Sequence, residues 1–131
     1  MDITSFMQEV KGDEVEVKID RFPEPFIVKA IPEKENDALR KSASKKKRVK
    51  GGRIESEFDT DLYTDLLVAQ CIVSPDLHNA ELQEFYGTQG NPADTIKAML
   101  LTGEYAKIHE KLLEVTGFND TDDEQVEEEK N

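Results

Sequence analysis

The stretch FDTDLYTDLLVAQCIVSPDLHNAELQEFYG, Phe58 to Gly87, decides how this chain folds. Asp59 or Thr60 supplies a helix cap. Asp59, Asp61 and Asp65 crowd the first turns, where carboxylates face the positive end of the helix dipole. Leu62, Leu66, Ala69 and Val73 then form one stripe, widened by Tyr63, Leu67 and Cys71 or Ile72. A stripe of that width belongs to a central, largely buried helix. Ser74-Pro75-Asp76 stops it, because proline disfavours helical geometry in the residue before it. Asn79 caps a further helix, AELQEFY, which closes at Gly87.

C-terminal to this stretch, Asn91-Pro92 opens a helix over ADTIKAMLL that closes near Thr102-Gly103. Glu104 begins the last helix. Its apolar positions are Tyr105, Ile108, Leu112 and Val115, and Gly117 ends it. Beyond Phe118, NDTDDEQVEEEKN carries seven acids and one base, with almost nothing to bury. That composition predicts a disordered acidic tail over 119–131.

N-terminal to it, residues 3–10 (ITSFMQEV) place Ile3, Phe6, Met7 and Val10 at i, i+3, i+4, i+7, the spacing of a short amphipathic helix ended by Lys11-Gly12-Asp13. EVEVKID alternates strictly, with Val15, Val17 and Ile19 on one face, which is the period of a half-buried strand. After Pro23 and Pro25, PFIVKAI reads as a second strand with Phe26, Val28 and Ala30 inward. Two prolines exclude a tight two-residue turn and suit a longer connection. Pro32 opens a helix running to about Lys46, with only Ala38, Leu39 and Ala43 to bury.

The run from Arg40 to Arg53 holds eight of the 17 bases, and Gly51-Gly52 breaks any helix there. Residues 44–57 read as a mobile basic loop. It is either a solvated loop whose first cations favour the helix end before it, or a docking patch for acidic protein or nucleic acid. No aromatic interleaves these bases, so base stacking has no support. The fold class is α+β, mainly helical. An N-terminal two-stranded antiparallel β unit packs on a bundle of about four to five helices, followed by the acidic tail. Residues 1–118 form a single domain.

A chain of 131 residues can bury one core. Its 29 acids against 17 bases leave a net charge of −12, which opposes nonspecific attraction to nucleic acid or anionic membrane. No run of about 18 apolar residues exists, and MDITSFMQEV lacks the basic and apolar parts of a signal peptide. The single cysteine, Cys71, sits in LLVAQCIV and reads as a small core hydrophobe in a reducing compartment. His78 and His109 lie in different predicted helices, too few and too far apart for a zinc site. Asp59, Asp61 and Asp65 lack the glycine and terminal glutamate of a calcium loop. The expectation is a protein that is not an enzyme, with no catalytic, cofactor-binding or metal-binding residues.

The ordered chain also resembles the XkdN-like family of phage and prophage tail proteins, regarded as tail assembly chaperones of contractile-tailed, PBSX-type particles. The resemblance spans residues 3–118. It rests on the order and spacing of Phe58-Asp59-Thr60 with Tyr63, Pro75-Asp76-Leu77, Glu81-Leu82 with Tyr86-Gly87, and Leu101 with Gly103-Glu104-Tyr105. The basic insert and the acidic tail are its variable parts. The resemblance implies a chaperone that binds and solubilises the tape-measure protein in the bacterial host cytoplasm, with the tail-tube protein and self-association as further partners, and that is absent from the mature particle. It transfers no catalytic residue and identifies no client-contacting residue. On the residues alone, Phe22, Phe26 and the outer side of the first short helix are the places where aromatics exceed the needs of the core. The alternative is a nucleic-acid-associated or regulatory phage protein acting through the Arg40–Arg53 basic loop.

Overall fold

The computed structural model describes residues 2–117. A single 3-10 turn (Ile3–Phe6) leads to strands β1 (Glu14–Val17) and β2 (Phe26–Lys29), helix α1 (Glu33–Ser42), and strands β3 (Ser44–Arg48) and β4 (Ile54–Phe58). Helix α2 (Thr60–Cys71) runs directly into β5 (Ile72–Ser74). Helices α3 (Ala80–Tyr86), α4 (Pro92–Met99) and α5 (Thr102–Thr116) complete the fold. The α+β, mainly helical architecture stands, with five α-helices and two small antiparallel sheets among the described residues. The expected acidic tail over 119–131 lies outside the described residues.

β1 and β2 pair antiparallel, Val17 opposite Phe26 and Val15 opposite Val28. The period-2 pattern lands as expected: Val17, Ile19, Phe26 and Val28 are all buried. The sheet nevertheless has three strands, in the order β1-β2-β5, because Ile72–Ser74 pairs along the other edge of β2. This corrects the expected two-stranded unit, and it shortens the central helix to Cys71. Helical spacing continues through Ile72 and Val73, yet the second edge of β2 needs hydrogen-bond partners, and the extended segment Ile72–Ser74 supplies them, Ile72 opposite Val28 and Ser74 opposite Ile27. The apolar face of α2 is therefore set differently from the sequence reading. Leu67, Val68 and Cys71 are buried, whereas Leu62, Leu66 and Ala69 are half-buried and Val73 is exposed.

Two further corrections concern the ends of this half. Helical structure over residues 3–10 is confined to the 3-10 turn Ile3–Phe6, and among the described residues Ile3, Phe6, Met7 and Val10 stay exposed. A free helix of that length is marginal in water without a surface to pack on. Residues 44–58 are not a loop but a β-hairpin, paired from Ser44–Phe58 to Arg48–Ile54. IESEF alternates, and Gly51 and Gly52 supply the two positive-φ positions of the turn rather than merely ending a helix. Helix α1 consequently stops at Ser42. Buried Ala43 accepts a hydrogen bond from the Asp59 amide at 2.8 Å, which closes the base of the hairpin, and Ala38 is left exposed.

The helix caps are those read from the sequence. Asp59 accepts from the Leu62 amide, Asn79 from Leu82 and Asn91 from Asp94, at 3.0, 3.0 and 2.9 Å. Gly87 and Gly117 take left-handed conformations past their helices. Glu104 is not the first residue of α5. Its carboxylate reaches back to the Leu101 amide at 2.8 Å, so the helix starts at Thr102.

Gln83 is buried and was not singled out by sequence pattern. Its Nε2 donates to the Leu77 carbonyl at 2.8 Å, and its Oε1 accepts from the Gly90 amide at 2.9 Å, stapling the loops on both sides of α3. Substitution Gln83→Leu strands a buried carbonyl and a loop amide. Urea unfolding is expected to show a loss of about 1–3 kcal/mol with an unchanged m value. A loss within experimental error would mean that water replaces both bonds.

Candidate partner-binding surfaces

Three surfaces present chemistry that the core does not use. The first is the N-terminal segment. Ile3, Phe6, Met7 and Val10 are each 65–76% exposed, an apolar set with no covering element among the described residues. Its root is fixed, since a Cβ at Gly12 would stand 2.8 Å from the Ala30 carbonyl oxygen. Only glycine allows the backbone that close to the end of β2. The outer side of the first turn, marked on sequence grounds, is therefore open surface.

The second is a shallow apolar cleft of about 200 Å³ lined by Phe22, Pro23, Pro25, Phe26, Pro75 and Met99. Phe22 and Phe26 meet edge to face, with ring centroids 5.2 Å apart. Phe26 is 1% exposed, so it belongs to the core rather than to a contact surface. Phe22 is half-buried and carries what is accessible of the pair. The rim of the cleft is held by Arg21. Its guanidinium donates to both Glu104 carboxylate oxygens, Nη2 to Oε1 at 2.6 Å and Nε to Oε2 at 2.9 Å, and also to the Met99 carbonyl at 2.7 Å. It also lies over the Phe22 ring, 4.9 Å from the centroid. These Arg21 bonds, with the Leu101 amide, hold the Glu104 carboxyl below its ordinary value.

The third is the β3–β4 hairpin, every strand residue of which is exposed. Its cations alternate sides, so Lys45 and Lys47 stand opposite Glu57 and Glu55. Sequence alone does not reveal this pairing, because a run of bases has no register until a partner strand is placed beside it.

Cys71, Asp59, Asp65 and Tyr105 have structural duties. Cys71 is 1% exposed, and burial first, then Glu35, pushes its thiol up to about 12, which leaves no thiolate near neutral pH. Asp59 caps α2, and Asp65 accepts from Lys97 Nζ at 3.0 Å and the Tyr105 hydroxyl at 3.1 Å, tying α2 to α4 and α5. Burial, with Asp65 next in weight, raises Tyr105 well above its usual value. His78 is exposed and His109 half-buried. Among the described residues, no three His, Cys, Asp or Glu side chains converge as a metal site would require, and no helix is long and apolar enough to cross a membrane.

A family model described as phage XkdN-like tail assembly chaperone protein matches residues 3–130. The protein YqbN of Bacillus subtilis strain 168 is 36% identical over 130 residues, covering 91% of this chain and 86% of the relative. The phage-like element PBSX protein XkdN of the same organism is 32% identical over 141 residues, covering 99% of this chain and 94% of that protein. The crystal structure of YqbN superposes with a TM-score of 0.72 at 28% identity, covering 89% of this chain and 97% of that one.

The Arg21–Glu104 clamp sets a pH dependence. A carboxyl whose folded pKa is depressed contributes stability above its unfolded value, and loses it as pH falls through the folded one. The Tm difference between the native chain and Glu104→Gln is expected at pH 7 and should shrink as pH drops below about 4.5. A difference independent of pH down to acid unfolding would show that the clamp acts by shape rather than charge.

Proposed function

The chain belongs to the phage XkdN-like tail assembly chaperone family, and from that membership we propose that it binds the tape-measure protein and keeps it soluble during tail assembly. The family places it in phage tail assembly. The client, the cytoplasmic setting and departure from the finished particle are our reading. The observation that carries the reading is the uncovered apolar set Ile3, Phe6, Met7 and Val10 on a segment rooted at Gly12. Long helical chains expose apolar stripes that aggregate unless covered. These four residues keep the spacing of one helix face in sequence, and among the described residues no surface covers them. An apolar helical client would supply that surface, and the segment would order as it docks. The strongly acidic body keeps the complex in solution, and many copies along one client add avidity. No catalytic step is needed.

Co-expression of the chain with the tape-measure protein of its own phage tests this. The tape-measure protein is expected in the soluble fraction and to co-purify with the native chain. The double variant Phe6→Glu, Met7→Glu should lose most of that recovery while its Tm stays unchanged, because neither side chain is packed. Failure of the native chain to recover or solubilise the tape-measure protein would sink the reading. Equal recovery with the double variant would move the contact elsewhere on the molecule.

A further inference from the structure

Register divides the hairpin into two unlike faces. Residues paired across antiparallel strands share a side, so Lys45 with Glu57 and Lys47 with Glu55 make a ladder of opposite charges. Lys47 Nζ also lies 3.8 Å from Glu57 on the diagonal. The other side carries Lys46 opposite Ser56, Arg48 opposite Ile54, and Ser44 opposite Phe58. It has two cations without an acid. Ile54 stands open beside them at 65% exposed, and Phe58, whose ring meets Tyr63 at 5.6 Å between centroids, keeps 46% of its surface exposed. Neither Lys46 nor Arg48 has an ion pair among the described residues. A two-stranded hairpin is marginal alone in water, and this one has a cationic, partly apolar face that no element covers among the described residues.

We propose that this face is the docking surface for the chain's own acidic C-terminal segment, residues 119–131. Charge selects this occupant. Residues 44–58 hold six bases and two acids, whereas the rest of residues 1–118 holds ten bases and 20 acids. A segment with seven acids and one base is repelled by most of the body and attracted by the hairpin. A second copy brings the same acidic body, so like charge opposes its approach. The segment also carries Val126 among its acids, an apolar group for the Ile54–Phe58 side. Reach permits the contact. Fourteen residues beyond Gly117 span up to roughly 50 Å when extended, against a diameter of about 35 Å for a body of this length. Tethering gives the segment an effective concentration in the millimolar range, which no free acidic peptide of equal affinity matches.

Zero-length carbodiimide cross-linking of the full chain, mapped by mass spectrometry, tests the contact. An equal mixture of light-labelled and heavy-labelled chains separates contacts within one chain from contacts between chains. Carboxylates of residues 120–129 are expected to couple chiefly to Lys45, Lys46, Lys47 and Lys50, within single chains. In the variant Lys46→Glu, Arg48→Glu, coupling to the unchanged Lys45, Lys47 and Lys50 should fall roughly fivefold or more, the weight of about one water-screened contact between unit charges. Circular dichroism checks that the variant stays folded. Coupling spread over Lys18, Lys29, Lys97, Lys107 and Lys111 according to exposure would overturn the proposal. So would coupling between light and heavy chains, or yields unaffected by the charge reversal. Binding of a single-stranded oligonucleotide to the full chain at physiological salt would also overturn it, by showing the face open to a different polyanion.

Discussion

Strand β2 is the constraint from which the rest of the structure follows. Phe26 and Val28 are 1% and 0% exposed, so the strand between them must be covered on its inner face and hydrogen-bonded along both edges. β1 satisfies one edge through a regular antiparallel ladder. The other edge takes Ile72–Ser74, which forces the chain out of helix at Cys71 and fixes where α2 meets the sheet. α5 closes the inner face with Ile108 and Leu112, both fully buried, and Ile96 and Met99 from α4 join the same buried cluster. Even Gly12 answers to β2, through its close approach to Ala30.

Around that core a few polar ties hold the connections that regular structure leaves loose. Gln83 bridges Leu77 and Gly90, Asp65 collects Lys97 and Tyr105, and Arg21 reaches across to Glu104 and Met99. Among the described residues no buried side-chain nitrogen or oxygen lacks a partner. The body is satisfied internally in this way, and its single thiol, Cys71, is buried in the core. What it does offer is surface: an apolar segment rooted beside β2 and a charged hairpin projecting from the join of α1 and α2. That division between a closed core and open appendages suits a protein whose work is contact.

The sequence by itself determined what depends on neighbours along the chain. Caps at Asp59, Asn79 and Asn91, the glycine stops at Gly87 and Gly117, and the alternation of Val15, Val17 and Ile19 are short-range signals, and the structure reproduces them. The residues that carry the family resemblance lie mostly in those same elements. Tertiary structure alone decided the rest. Ile72 and Val73 fit a helix by period and became a strand because the open edge of β2 outweighs local spacing. Lys45 to Arg48 looked like a solvated run until pairing with Glu55 and Glu57 gave it register, and register is a relation between two segments. Ile3, Phe6, Met7 and Val10 have the spacing of an α-helix but get no further than a 3-10 turn, because amphipathicity is realised only against a surface, and none covers them among the described residues.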